Sequence, residues 1–340
     1  MRIFDRVREN YDDFVANARL MLPGITLSAT IALAAAYLSE HYGGPAMLFA
    51  LLLGIAFNYL AENPATSPGI RFSSRSILRF GVALLGARIT WGEVESLGIE
   101  TAGMVVGGVI ITLVIGTVIA RMLKLPRDFA ILSAGAVAIC GASAALAIAS
   151  VLGSSKDSER HTILTVVGVT TLSTLAMMIY PLLATVLGFD DKAAGIFIGA
   201  TIHDVAQVVG AGYTISPEAG DTSTIVKLLR VSCLLPAVFA IGFATRHSSD
   251  VHTKNVPVLP IFLVAFMVLV AVNSFGWIGE DVVATLSTIS RWCLLCAVSA
   301  LGIRTSIGSL AVVGPRPLIA MVLQTVLLAA FVIAGLLFLV

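Results

Sequence analysis

The stretch Gly199-Ala-Thr-Ile-His-Asp-Val-Ala-Gln-Val-Val-Gly-Ala-Gly212 sets His203, Asp204 and Gln207 among glycines, within strongly apolar sequence. A carboxylate at the centre of a membrane helix costs roughly 2.5–3.5 kcal/mol on insertion scales, so it persists where it is paired or useful. On a continuous helix Gln207 is i+3 from Asp204 and i+4 from His203, which predicts one shared polar edge. The glycines admit a close backbone neighbour or local unwinding. The pattern reads as a site.

Composition sets the class around it. Of 340 residues, 58% are hydrophobic and 12% charged, about half the charge of a soluble domain. Apolar segments recur near 23–39, 45–62, 73–90, 98–121, 128–153, 160–187, 192–212, 222–246, 257–276, 282–304 and 314–340. They predict an all-α polytopic membrane protein with about eleven transmembrane helices. Residues 23–340 read as one integral membrane domain, and 1–22, with Asp5, Glu9, Asp12 and Asp13, as an amphipathic cytoplasmic lead-in. Pro23, Pro45, Pro257 and Asp221-Thr222-Ser223 offer helix-start signals. A net charge of +1 gives no footing for nucleic acid. The four cysteines, Cys140, Cys233, Cys293 and Cys296, lie in apolar segments. Cys293-Leu-Leu-Cys296 has redox or metal spacing but reads as small-residue packing, so neither metal nor cofactor is expected.

Basic residues cluster at the N-terminus (Arg2, Arg6, Arg8, Arg19) and in alternate loops (Arg71 and Arg75; Arg121, Lys124 and Arg127; Lys192; Arg246 and Lys254; Arg304 and Arg316). The other side holds mainly Arg88, Lys156 and Arg160. The positive-inside rule therefore places the N-terminus inside and, with an odd count, the C-terminus outside.

Two segments repeat. Gly81-Val-Ala-Leu-Leu-Gly-Ala-Arg88 aligns with Ala297-Val-Ser-Ala-Leu-Gly-Ile-Arg304, and Asn58 has a counterpart in Asn273. The copies, within units of about 45–123 and 257–340, stand seven spans apart, an odd separation that inverts one against the other. Inverted repeats of this kind characterise secondary transporters.

Ser133-Ala-Gly-Ala-Val-Ala-Ile-Cys-Gly-Ala-Ser143 is built from small residues. Cys140-Gly141-Ala142-Ser143 reads either as a mid-membrane helix break, whose free N–H groups suit an anion, or as a tight helix interface. Gly135-Ala136 matches Gly199-Ala200, and Ala142-Ser143 matches Ala206-Gln207, which favours two glycine-broken elements. Lys227 and Arg230 share a helical face. Lys227 can snorkel to the surface, whereas Arg230, about 12 Å deep if its helix starts near Thr222, should pair with Asp204 or hold an anion. His203 and Asp204 read as a proton-linked pair or as a structural pair, Asp204 neutralising Arg230. Gly103-Met-Val-Val-Gly107-Gly108 is a small-residue contact face.

Leu85-Gly-Ala-Arg-Ile-Thr90, Ala138-Ile-Cys-Gly-Ala-Ser143, Gly199-Ala-Thr-Ile-His-Asp204 with Ala206-Gln207, and Lys227-Leu-Leu-Arg230 together resemble the YeiH family of bacterial inner-membrane proteins, labelled sulfate exporters. The likeness covers nearly the whole chain. It implies the fold of the wider cation/proton antiporter and anion transporter group, a panel domain beside a core with crossed, discontinuous helices. One departure is that a single span follows Arg304, which leaves span seven or span ten as the second discontinuous helix.

The resulting expectation is a non-enzymatic secondary active transporter that exports a small inorganic or sulfonate-type anion. Cys140, Gly141, Ser143, Gln207, Lys227 and Arg230 would bind substrate. His203 and Asp204 would couple protons, and Asn58, Arg88, Asn273 and Arg304 are the polar residues of the repeat. Its partners would be the anion, protons or sodium, membrane lipid and, by analogy with the fold group, a second copy in a homodimer. The rivals are a sodium/proton antiporter binding its cation at Asp204, and an intramembrane enzyme built on His203 and Asp204. The enzyme lacks an activated nucleophile, paired aspartates or an HExxH-like motif.

Overall fold

The computed structural model of the protein describes residues 2–152, 157–245, 260–305 and 313–339. Lys156, Arg246, Lys254 and Pro257 lie outside these residues. Among the described residues regular structure is entirely helical: α1 Arg2–Tyr42, α2 Ala46–Ala56, α3 Ser67–Phe72, α4 Leu78–Leu85, α5 Trp91–Ser96, α6 Gly98–Met122, α7 Arg127–Ala138, α8 Ala142–Leu152, α9 Ser158–Val186, α10 Asp191–Thr201, α11 Val205–Ile215, α12 Pro217–Ser232, α13 Leu234–Thr245, α14 Ile261–Ser274, α15 Glu280–Arg304 and α16 Pro315–Leu339.

Six stretches of described helix are individually long and apolar enough to cross a bilayer: Arg19–Tyr42, Gly98–Met122, Ser158–Val186, Pro217–Thr245, Glu280–Arg304 and Pro315–Phe338. The remaining apolar segments are shorter helices or are broken in the middle, which a hydropathy count does not separate from full spans. Pro23 is not a helix start. It lies inside α1, which runs unbroken from the polar lead-in into the apolar segment. Nor does Asp221-Thr222-Ser223 begin a helix. Ser216 accepts from the Ala219 N–H at 3.1 Å and Pro217 fills the first helical position, a stronger start four residues earlier. Pro45 does stand at the start of α2.

The chain forms two compact units, Met1–Arg88 with Ile278–Thr305, and Ile89–Trp277 with Ser306–Val340. In the first, α15 packs on α2 and α4. Gly54 and Gly302 bring α2 and α15 backbone to backbone: a Cβ on either would lie 2.9 Å from the other's Cα. α4, extended by α3 and a π-helical turn Ser73–Ile77, runs antiparallel to α15. Ser290 Oγ donates to the Gly81 carbonyl at 2.7 Å, and Arg304 Nη1 donates to Ser74 Oγ at 2.9 Å. Asn58 Nδ2 donates to the carbonyls of Ile303 and Thr305, both at 2.8 Å, closing the end of α15.

In the second unit the long helices α6, α9 and α16 pack against two interrupted ones. α7 and α8 are separated at Ile139–Gly141, and α10 and α11 at Ile202–Asp204. α7 begins at Arg127 and α10 at Asp191, the same 64-residue offset that relates Gly135 to Gly199. α15 is continuous over 25 residues. The second interrupted helix is therefore span seven and not span ten. Also in this unit, Asn273 Nδ2 donates to the Ile89 carbonyl at 3.3 Å, just beyond Arg88.

Candidate functional site

The site forms because α12 lies directly on α10 and α11. A Cβ on Gly199 would strike the Ser223 carbonyl and stand 2.8 Å from Val226 Cβ, and one on Gly195 would stand 2.7 Å from Thr222 Cβ. Small residues on one face of α10 thus let α12 approach to backbone contact. That approach carries Lys227 and Arg230 beneath both interruptions, about 15–20 Å along α12 from Pro217.

Both cations are buried, Lys227 at 0% and Arg230 at 1% exposure. Lys227 Nζ donates to the carbonyls of Ile139 and Ile202, each at 2.8 Å. Arg230 donates through Nε to Ala138 at 2.6 Å, through Nη1 to Ile202 at 2.9 Å, and through Nη2 to Val137. The C-terminal ends of α7 and α10, where unsatisfied carbonyls gather partial negative charge, are therefore closed by fixed positive side chains. This corrects two expectations. Lys227 does not snorkel, because its ammonium has carbonyl partners inside the protein. Arg230 is not paired with Asp204, because the peptide carbonyls of the two breaks take its donors. Pro236 has no N–H to offer the Ser232 carbonyl, and α12 stops at Ser232 before α13 resumes at Leu234.

Gly141 has φ +65°, and a Cβ there would sit 3.6 Å from His203 Cβ, so the two interruptions touch. Cys140 is buried beside it and Ser143 is exposed on the first turn of α8. His203, Asp204 and Gln207 do not share one helix edge, because the helix ends at Thr201 and restarts at Val205. Asp204 is instead the N-cap of α11, accepting from the Ala206 N–H at 2.9 Å, and is half-buried. His203 and Gln207 are both at 0% exposure and reach different helices. His203 Nε2 lies 3.1 Å from Thr325 Oγ1 on α16, and Gln207 Nε2 donates to Thr174 Oγ1 on α9 at 2.7 Å. Ser173 Oγ accepts from the backbone N–H groups of His203 and Asp204 at 3.1 and 3.0 Å.

Ser173, Thr174, Gln324 and Thr325 were not singled out from the sequence. Gln324 Nε2 donates to the Gly116 carbonyl at 3.0 Å and to Ser133 Oγ at 3.1 Å, tying α16 to α6 and α7. A signal existed: a Gln-Thr pair in the middle of an apolar helix is costly unless partnered. The repeat-related residues lie elsewhere. Asn58 and Asn273 hold helix-end carbonyls as described, while Arg88 and Arg304 are exposed. Gly107 and Gly108 of the small-residue face pack under Phe331 of α16 within the chain, whereas Gly103 faces open space.

Membrane-length helices flanking two broken ones, with ionisable groups buried at the breaks, define a polytopic helical membrane protein. The chain belongs to the family described as conserved hypothetical protein 698, whose model matches residues 23–321. It is 48% identical over 316 residues to UPF0324 membrane protein CT0845 of Chlorobaculum tepidum, covering 92% of this chain and 88% of that one. It is likewise 48% identical over 318 residues to UPF0324 membrane protein TauZ of Paracoccus denitrificans, covering 92% and 94%. To UPF0324 membrane protein RB0971 of Rhizobium meliloti it is 47% identical over 320 residues, covering 93% of each. This is the family that the motif set resembles. No solved structure matches the chain.

Proposed function

We propose that the protein is a secondary active transporter of a small inorganic or sulfonate-type anion, sulfate-like in chemistry, exporting it across the bacterial inner membrane. The observation that carries this reading is the occupation of Val137, Ala138, Ile139 and Ile202 by Lys227 and Arg230. A sodium ion needs several oxygen ligands, and these carbonyls already serve fixed cations. Two formal positive charges against the single carboxylate of Asp204 leave an excess that an anion neutralises. The opposite polarity stands across each gap. The first amides of α8, at Ala142 and Ser143, begin a helix and have no intrahelical carbonyl to meet, while the Ala144 amide faces the Cys140 sulfur. With the Ser143 hydroxyl the Ala142 and Ser143 amides form the anion's binding face. His203 and Asp204 then serve proton coupling.

The remaining parts of the reading are an N-terminus in the cytoplasm, a C-terminus in the periplasm, about eleven membrane-embedded segments, and inverted repeats. The repeats gain support from a reciprocal pattern. Asn58 of the first copy bonds the carbonyl of Thr305, which follows Arg304 of the second, and Asn273 of the second copy bonds the carbonyl of Ile89, which follows Arg88 of the first. Alternating access would move one bundle against another around the midplane site, and a homodimer is the assembly the fold group suggests.

The test is purified protein in liposomes, recording currents and internal pH with sulfate, sulfite, thiosulfate or taurine, and separately with sodium. The expected result is an anion-dependent signal whose half-saturating concentration rises about fivefold in Ser143→Ala, the loss of one hydrogen bond of about 1 kcal/mol. Sodium-dependent proton flux without any anion response would transfer the protein to the cation antiporters.

A further inference from the structure

Three buried hydroxyls, those of Thr325, Thr174 and Ser133, have already committed their protons, and this fixes what the groups beside them present. Thr325 Oγ1 donates to the Met321 carbonyl at 2.8 Å. A hydroxyl has one proton, so toward His203 it can only accept, across 3.1 Å. The imidazole therefore carries its hydrogen on Nε2 and shows a bare lone pair at Nδ1. Nδ1 is buried and makes no hydrogen bond of standard geometry, with the Val137 carbonyl beside the ring. Thr174 Oγ1 likewise donates to the Thr170 carbonyl at 3.0 Å and so accepts from Gln207 Nε2 at 2.7 Å. That turns Gln207 Oε1 the other way, where it is buried without a partner. Ser133 repeats the arrangement one layer along. It donates to Ala130 at 3.3 Å and accepts from Gln324 Nε2 at 3.1 Å, leaving Gln324 Oε1 buried and unmatched.

All three orphaned atoms are acceptors. A buried acceptor without a donor is costly, so each of these atoms favours the arrival of a donor. Of the three, only His203 Nδ1 can take a proton outright. The geometry points to His203 Nδ1 as the atom that binds the coupled proton, with Thr325 as the residue that positions it and selects its tautomer. This deepens the proton-coupled reading and rests on it. It also separates the roles of the adjacent pair, because the Asp204 carboxylate is engaged in capping α11.

The step is simple protonation: a proton from the aqueous phase adds to the Nδ1 lone pair, and no other bond breaks. The new N–H needs an acceptor, and the Val137 carbonyl at the end of α7 is the backbone acceptor beside the ring. The protonated ring adds a third positive charge beside Ile202, whose carbonyl already serves Lys227 and Arg230. Protonation thus bears on the carbonyls that hold the two interruptions together, which links proton uptake to rearrangement of the crossing. The charged and titratable groups around His203 are Lys227 and Arg230 on α12, Asp204 on its own element and Cys140 at the facing break. α16 presents the neutral Thr325. α9 presents neutral Ser173 and carries Tyr180, packed on Phe197 at 5.1 Å between ring centroids.

The experiment is nitrogen NMR of histidine-labelled full-length protein with His41, His161, His247 and His252 replaced by glutamine, alongside the pH profile of anion flux in liposomes. The expected spectrum at alkaline pH is the Nε2–H tautomer, with Nδ1 gaining its proton over the pH range in which flux changes. Thr325→Val should relax the tautomer ratio about tenfold, the loss of one hydrogen bond of about 1.4 kcal/mol, and displace the flux profile. Thr325→Ser should restore both. An Nδ1–H tautomer in the starting protein, or anion flux whose pH dependence is unaffected while Nδ1 titrates, would overturn the assignment and leave the anion reading intact. Absence of flux with every anion, beside the expected tautomer, would count against the transporter instead.

Discussion

The two helix interruptions are alike at one end and different at the other. At their C-terminal ends, α7 and α10 give up carbonyls to the same pair of cations, and Ile202 alone receives both Lys227 and Arg230. At their N-terminal ends the solutions diverge. α11 is closed by its own residue, Asp204, whose carboxylate accepts from Ala206. α8 follows a glycine in the left-handed region at φ +65° and carries Ser143 exposed on its first turn. One break thus contains its own carboxylate, and the other does not. In the function proposed above, the anion would bind on the α8 side, and the fold's internal charge balance lies on the α11 side.

The shared end carries the largest expected effect. Arg230→Gln removes donors from Val137, Ala138 and Ile202 at once. Stranding the buried carbonyls of Val137 and Ala138, with Ile202 left to Lys227 alone, should cost about 3–5 kcal/mol. Thermal unfolding in detergent would read this as a fall in Tm, with Arg230→Lys recovering part of it. If Arg230→Gln unfolded like the parent protein, the carbonyls would have other partners and the shared end would not be what holds the breaks.

The second effect isolates the difference between the breaks. At Gly141 a Cβ has room, its nearest neighbour being 3.6 Å away, so Gly141→Ala tests backbone strain alone. The left-handed conformation should cost about 1–2 kcal/mol. Gly141→Asn should lose less, because asparagine visits that region more readily. Equal losses for alanine and asparagine would mean that packing against His203, not φ, sets the requirement. Ile202 and Asp204, at the other break, lie in extended conformations that any residue adopts.

Much of this was legible in the residues. Small residues around Cys140-Gly141 and around Gly199 predicted both interruptions, and the alignment of Gly135 with Gly199 anticipated their common offset. Ionisable groups at 203, 204, 227 and 230 marked the region because bilayers penalise them. What remained hidden was pairing. Whether Lys227 snorkels depends on the depth of α12, which depends on Ser216 capping it earlier than the polar cluster suggested. The partners of His203 lie 30 and 122 residues away, on α9 and α16. No local periodicity connects them. The count of spans blurred for a related reason: hydropathy measures apolar length and is blind to a backbone that stops and restarts, as at Ile202.

The smallest expected effect distinguishes capping from charge at Asp204. Asparagine caps helices about as well as aspartate, whereas alanine costs about 1 kcal/mol. Asp204→Asn should therefore unfold within about 0.5 kcal/mol of the parent, and Asp204→Ala should fall below both. If Asp204 is principally the cap of α11, Asp204→Asn also keeps the pH dependence of flux, because His203 is then the proposed proton site. If Asp204→Asn instead folds normally but loses that dependence, the carboxylate is the titrating group. The contrast between the breaks would then shift: α11 would begin with the coupling residue itself, and its closure by Asp204 would open and shut with each proton.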